Sequence, residues 1–157
     1  MDNHASLNSR QLAEFVTSVF RDHMSFNHLL GLKISQFDGE GVEVRLPWHE
    51  KLTGNPIQKI LHGGVTAAVL DTVGGLMAIL HVVKDMPDCS LEQFQKRLAK
   101  IGTIDMRVDY LRPGKGREFI ATASVIRKGS RVAVCRMELH NEQGEHIAFG
   151  TGTYMVG

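Results

Sequence analysis

A run of about 20 apolar residues near the middle of the chain constrains the fold more than any other feature. It spans residues 61–83, and Asp71 is the only formally charged residue between Lys59 and Lys84. An unpaired carboxylate in hydrocarbon is costly, so we expect Asp71 to be paired or to perform a function. The run has the length of a transmembrane helix. Its four glycines and central Asp favour a helix buried inside a sheet and argue against a membrane span.

Small residues recur within this run at helical spacing. Each glycine in a helix interior costs about 1 kcal/mol relative to alanine. We therefore expect the predicted helix, residues 62–82, to lie close against another backbone. The stripe at positions i, i+4, i+7, i+11 and i+14 consists of Gly64, Ala68, Asp71, Gly75 and Ala78.

The spacing of His62 and Asp71 has a geometric consequence. The two residues are nine positions apart, which puts them about 180° apart around a helix and about 13 Å apart along it. One helix cannot easily direct both side chains at one small substrate. If both serve one site, we expect that site to be shared between two copies of the chain.

The sequence His62-Gly63-Gly64, followed by Asp71, resembles the signature of the hotdog-fold acyl-CoA thioesterases, in the phenylacetyl-CoA thioesterase-like (PaaI-like) branch. The resemblance extends over roughly residues 28–155. It implies an α+β hotdog fold, in which a six-stranded antiparallel sheet wraps a long central helix. It also implies hydrolysis of an acyl-CoA thioester to the free acid and CoA, in a homodimer or homotetramer with sites shared between subunits.

The resemblance also assigns roles to individual residues. The backbone N–H of Gly63, at the helix N-terminus, would polarise the thioester carbonyl. Asp71 of the partner subunit would act as general base or as nucleophile. Thr103 aligns with a hydroxyl residue that orients the attacking water. Gly64 is a further candidate for substrate binding.

Two residues before the helix keep alternative interpretations. Asn55 lies seven residues before His62, one more than the family's usual offset, and it either helps to position the thioester or starts a turn before Pro56. His62 either caps the helix or touches the substrate, and a buried structural histidine is the alternative.

Coenzyme A carries phosphates, and two predicted hairpin tips are basic. One contains Arg112, Lys115 and Arg117. We assign the residues of the other tip to substrate binding. The glycine in this tip would let backbone N–H groups contribute to phosphate binding. The residues of this tip are Arg127, Lys128, Gly129, Ser130 and Arg131. Both tips also fit ordinary solvated turns.

Length and composition set limits on the class of protein. A chain of 157 residues with 43% apolar and 22% charged residues fits a single domain, 1–157. Its net charge of +1 argues against nucleic-acid binding. Cys89 and Cys135 form no CxxC motif, and no metal or cofactor is expected. The first residues do not read as a secretory signal, so we expect a cytoplasmic protein.

The remaining elements follow from periodicity. The periodicity of residues 9–23 predicts an amphipathic helix capped by Ser9. This helix forms an N-terminal extension of about 9–24, which either packs on the domain or lines one end of a substrate pocket. A hairpin follows at 32–48. The Ser90 capping box predicts a short helix that contains Phe94, another candidate pocket residue. Four strand-like runs occupy residues 101–155.

Two other functions remain open. A hotdog hydratase or dehydratase would need an acid a few residues before His62, and none lies between Lys51 and Asp71. A non-catalytic acyl-CoA-binding module would have the same fold, since fold does not fix function.

Overall fold

In a computed structural model of the chain, which describes residues 5–157, a long helix lies across one six-stranded antiparallel sheet. The helix, α3 (Gly63–Asp85), has 23 residues. The strands are β2 (Lys33–Asp38), β3 (Gly41–Pro47), β5 (Gly102–Tyr110), β6 (Glu118–Lys128), β7 (Val132–Asn141) and β8 (His146–Met155). Their order in the sheet is β2-β3-β6-β7-β8-β5. The predicted α+β hotdog architecture is therefore confirmed.

The smaller elements lie around this helix and sheet. Helix α1 (Ser9–His23) and helix α4 (Leu91–Leu98) were both predicted. Helix α2 (Ser25–Leu30) was not predicted, nor was the two-stranded sheet of β1 (Ser6–Leu7) and β4 (Cys89–Ser90). These pieces are too short to leave a periodic pattern in the sequence.

The cap of α1 differs from the prediction. Asn8 caps the helix: its side chain accepts a hydrogen bond from the Gln11 N–H, and the Gln11 side chain accepts one from the Asn8 N–H. Ser9 is the first helical residue, and its assignment as the cap was wrong by one position. The amide of Gln11 completes the capping box only with residue 8. The apolar face of the helix is buried as expected.

Helix α3 is the centre of the hydrophobic core. Val69, Leu70 and Val73 are fully buried. Among the described residues, α3 alone has the length and apolar composition of a membrane-spanning helix. Within its apolar window, 61% of the residues are buried inside the domain, as in the core helix of a globular protein.

The close approach predicted for α3 occurs at Gly74, which lies beside the predicted stripe. A Cβ atom at Gly74 would clash with the hydroxyl of Tyr154 and would lie 2.8 Å from its Cζ. At Gly75, on the stripe, a Cβ would make only ordinary contact, 3.7 Å from the Tyr154 ring. The ring of Tyr154, on β8, is therefore what requires a glycine in the helix.

Strand β5 forms one edge of the sheet. Alternation predicts that Ile104, Met106, Val108 and Tyr110 share a face, but only Met106 and Val108 pack against the core. Ile104 is 51% exposed and Tyr110 is 55% exposed. The pairing with β8 shifts register between Thr103 and Asp105, which explains the change of face at Ile104. In the described part of the chain, β5 pairs with β8 alone, so its outer edge is open.

Replacing the two adjacent glycines of α3 by alanine should change stability in opposite directions. Gly74→Ala should lower the free energy of unfolding by about 1–3 kcal/mol, because the new methyl group overpacks against Tyr154. Gly75→Ala should raise it by about 0.5–1 kcal/mol, because alanine favours the helix and the site has room. Urea unfolding followed by circular dichroism measures both, and equal effects would contradict the packing described for Tyr154.

Candidate active site

The N-terminus of α3 is capped by His62. Its Nδ1 accepts a hydrogen bond of 2.8 Å from the Gly64 N–H, as the capping interpretation predicts. Since Nδ1 is the acceptor, the ring proton lies on Nε2, and this side of the exposed ring is available to donate to a ligand. The N–H of Gly64 is already used by the cap, so Gly64 can contribute close backbone approach to a substrate but not a donor.

The backbone N–H of Gly63 is the next donor at the start of the helix. Its carbonyl oxygen accepts a hydrogen bond of 2.7 Å from the Tyr110 hydroxyl. Within residues 5–157, the Gly63 N–H has no hydrogen-bond acceptor. Glycine is exposed at this position, so an oxygen atom can approach the N–H directly. The positive end of the helix dipole adds to the attraction for a developing negative charge.

Asp71 is half-buried and accepts hydrogen bonds from two hydroxyl groups. The Thr103 hydroxyl donates to Asp71 Oδ1 at 2.8 Å. The Tyr154 hydroxyl donates to the Asp71 backbone carbonyl at 3.2 Å. Burial raises the pKa of Tyr154 far above its usual range, and the Asp71 carboxylate raises it further. Tyr154 therefore remains a protonated donor. Among residues 5–157, no side chain donates a hydrogen bond to Oδ2 of Asp71 at normal length.

The structure does not bring the two halves of the candidate site together within one chain. Gly63 and Asp71 are eight residues apart on α3, a rise of about 12 Å. Each contacts a different end of β5: Gly63 contacts Tyr110, and Asp71 contacts Thr103. The open edge of β5 therefore has the helix N-terminus at one end and the carboxylate at the other.

Asn55 lies in the loop beside His62. Its Oδ1 accepts hydrogen bonds from the Ile57 and Gln58 N–H groups, so the side chain does start a turn. The adjacent Gly54 packs on the helix cap, since a Cβ there would lie 2.6 Å from the His62 Cα. The loop therefore keeps Asn55 close to the helix start.

The basic tip that joins β6 and β7 is only partly free to bind phosphate. Lys128 forms an ion pair with Asp85, its side chain is 20% exposed, and burial lowers its pKa. The Gly129 N–H donates to the Val132 carbonyl at 2.8 Å. These two residues hold the hairpin itself. The exposed side chains of the set line a surface depression of about 320 Å³; they are those of Arg127, Ser130 and Arg131.

An apolar pocket of about 410 Å³ opens beside Asp71 and Thr103. Val16 and Phe20 of α1 line one wall, so α1 both packs on the domain and forms part of the pocket, as the two interpretations of this helix allow. A larger cleft, of about 640 Å³, lies on the other side of α1 and contains none of the candidate site residues.

The sequence did not reveal the two tyrosines that complete this arrangement. Tyr110 reads as the last apolar residue of an alternating strand, and Tyr154 lies in the final strand. Their contacts to α3 span 47 and 83 positions of the chain. Neither leaves a local signal.

Among the described residues, no group of three or more His, Cys, Asp or Glu side chains could hold a metal ion. Both cysteines are buried, and burial raises the pKa of Cys135 to about 11, which leaves its thiol inert.

Comparisons with known proteins identify the family of this chain. A family model described as the thioesterase superfamily matches residues 58–148. The medium/long-chain acyl-CoA thioesterase YigI of Escherichia coli (strain K12) is 42% identical over 153 residues, which cover 98% of this chain and 99% of the relative.

Two solved structures are also similar to this chain. A Shewanella oneidensis protein related to the thioesterase superfamily is 58% identical, with a TM-score of 0.91 and coverage of 95% of this chain and 97% of that one. A Bacillus halodurans protein solved with CoA is 28% identical, with a TM-score of 0.69 and coverage of 95% and 89%.

Removal of the helix cap should be measurable. His62→Ala should lower the free energy of unfolding by about 1 kcal/mol, because the Gly64 N–H loses its acceptor. His62→Asn, whose side chain also accepts, should restore most of that loss. Urea denaturation curves of the three proteins give the comparison, and an alanine variant as stable as the wild type would show that the cap contributes little.

Proposed function

The chain belongs to the thioesterase superfamily and is an acyl-CoA thioesterase, and we propose that it hydrolyses medium- and long-chain acyl-CoA esters at sites formed between two copies of the chain. One observation carries the shared site: the helix N-terminus and the carboxylate contact opposite ends of the same open strand edge. The PaaI-like branch and the cytoplasmic location stay predictions from the sequence.

Antiparallel pairing of two β5 edges would bring the two halves together. With a two-fold axis between Met106 and Arg107, Thr103 of one copy lies opposite Tyr110 of the other. Asp71 of the first copy then comes close to Gly63 of the second. The same pairing would cover the exposed side chains of Ile104 and Tyr110 and satisfy the unpaired edge. The assembly that we propose is therefore a homodimer with two shared sites.

The Gly63 N–H is the donor that would polarise the thioester carbonyl. As water adds to the carbonyl carbon, negative charge collects on the oxygen, and a fixed N–H at a helix N-terminus stabilises it. His62, whose Nδ1 is occupied by the Gly64 N–H, would use Nε2–H to contact the thioester, and Asn55, in the adjacent loop, would help to position it.

Asp71 of the other copy would act as general base. Thr103 occupies Oδ1 and leaves Oδ2 to take a proton from the attacking water. The new C–O bond forms, the C–S bond then breaks, and the CoA thiolate leaves and is protonated. Direct attack by the carboxylate is the alternative route.

The two ends of the substrate would bind in different surroundings. The acyl chain would enter the apolar pocket of about 410 Å³ beside Asp71. The phosphates of CoA would bind the exposed Arg127 and Arg131. The other basic tip is a poorer phosphate site, because Glu142 accepts from the Arg117 N–H and brings negative charge to it.

Shared sites predict complementation between two inactive variants. Asp71→Asn should lower kcat by about 10²–10⁴-fold. Gly63→Pro should lower it by about 10²–10³-fold, since proline removes the N–H yet fits the first helical position. Dimers that carry one copy of each, purified through two different tags, should recover about half of the wild-type activity, because one of two sites is intact.

The controls separate chemistry from folding. His62, at φ −58° and ψ 134°, already has the backbone conformation that precedes proline. Gly63→Ala keeps the N–H and places a Cβ 3.5 Å from Tyr110, so it should lose far less activity than Gly63→Pro. Mixed dimers as inactive as their parents would refute the shared site. Tight acyl-CoA binding without turnover in the wild type would instead indicate a binding module.

Phosphate binding by the β6–β7 tip predicts a selective effect on KM. The double variant Arg127→Gln, Arg131→Gln should raise KM for acyl-CoA by about tenfold, equivalent to about 1.4 kcal/mol of lost binding. KM for the matching acyl-pantetheine, which lacks the nucleotide phosphates, should not change. The same substitutions at Lys115 and Arg117 serve as the control, and an effect there alone would move the CoA site to that tip.

A further inference from the structure

The apolar pocket is a trench between two antiparallel helices. Thr72 donates a hydrogen bond of 3.5 Å to Asn27, which lies just after α1. Ser9, at the start of α1, shares a cleft with Val83 near the end of α3. The two helices therefore run in opposite directions: the part of α3 after Asp71 lies beside α1 in the order from Met24 towards Ser9.

The third wall of the trench comes from α4 and the segment that follows it. Leu98 and Ile101 line the pocket on this side, opposite Val19 of α1. On α3 the lining begins at Asp71 and ends at Ile79. The polar lining residues, Thr72, Thr103 and Tyr154, therefore lie together around Asp71, and the rest of the lining is apolar.

An aromatic pair joins two of these walls beside Val16, the first residue of α1 that lines the pocket. Phe15 lies one helical turn before Val19 on α1, and Phe94 lies one turn before Leu98 on α4. Their rings meet edge to face, with centroids 6.2 Å apart and planes at 71°. Phe94 is fully buried. On α1, which runs antiparallel to α3, Phe15 therefore stands one residue beyond the lining, at the end of the trench away from Asp71.

The length of the trench can be compared with an acyl chain. Asp71 and Ile79 are eight residues apart, which is a rise of about 12 Å. An extended hydrocarbon advances about 1.25 Å per carbon, from C–C bonds of about 1.5 Å at angles near 111°. The trench therefore holds about ten carbons.

We propose that the Phe15–Phe94 pair is the end wall of the acyl pocket and sets the chain length that the enzyme prefers. This rests on the proposed function, because it takes Asp71 and Thr103 as the site of the thioester. Up to the wall, each added methylene that leaves water gains about fourfold in binding. Beyond about ten carbons the gain stops, because the chain must bend away or displace the rings.

The test compares kcat/KM across straight-chain acyl-CoA esters of six to sixteen carbons. In the wild type, kcat/KM should rise to about ten carbons and then level off or fall. Phe15→Ala should raise the ratio of the hexadecanoyl to the octanoyl value at least tenfold, because it opens the far end. The matched control is Phe37→Ala: Phe37 is also partly buried, but it lines the separate cleft on the other side of α1.

A second variant changes the same pocket in the opposite direction. Ile79→Phe fills the trench in front of the aromatic pair, so the ratio of the decanoyl to the hexanoyl value should fall at least tenfold. Unchanged length profiles in Phe15→Ala and Ile79→Phe, with activity retained, would overturn the end wall. A profile that changes equally in Phe37→Ala would overturn it as well.

Binding without turnover separates this inference from the proposed function. Titration calorimetry with S-alkyl-CoA thioethers, on Asp71→Asn and on Asp71→Asn, Phe15→Ala, measures the effect of chain length even if the wild type hydrolyses no ester. Affinity that stops rising near ten carbons in the first protein, and continues to rise in the second, supports the end wall. The same dependence on length in both proteins contradicts it, whatever the activity assay gives.

Discussion

The contact between Tyr154 and α3 fixes the depth at which the central helix lies in the sheet. The ring occupies the space where any side chain at Gly74 would be, and its hydroxyl donates to the Asp71 carbonyl. One residue of the last strand therefore determines how close the helix backbone comes and where the turn carrying Asp71 stands. The carboxylate is half-buried as a result: deep enough to border an apolar pocket, and shallow enough to meet Thr103 at the open edge.

The edge strand β5 contacts α3 both at the turn that carries Asp71 and at the helix N-terminus. Thr103 and Tyr110 are seven residues apart, and they hydrogen-bond to groups eight residues apart on α3. Strand and helix therefore run antiparallel side by side. A two-fold axis across such an edge necessarily places unlike ends next to each other. The shared site that we propose would thus follow from strand direction, without a special loop or an added domain.

The sequence predicted the parts of this arrangement that are local. The apolar run, the isolated Asp71 and the glycines indicated a buried helix with a close neighbour, and the nine-residue offset of His62 from Asp71 indicated that one helix could not supply the whole site. The identity of the close neighbour depends on Tyr154, 80 positions after Gly74, and periodicity carries no record of such a pairing. Whether a group at the basic tip is free to bind phosphate likewise depends on the geometry of the hairpin, which residue types alone do not determine.

The charges at the two ends of α3 differ, and the difference affects how the helix dipole can act on a substrate. At the C-terminus, where the helix dipole is negative, Lys84 stands in the last turn and Lys128 pairs with Asp85. At the N-terminus no acidic residue stands in the first turn, and the His62 ring satisfies the Gly64 N–H without adding negative charge. The positive end of the dipole is thus left uncompensated at Gly63. A thioester carbonyl, which gains negative charge as water adds to it, is the kind of group that such an end stabilises more strongly in the transition state than in the ground state.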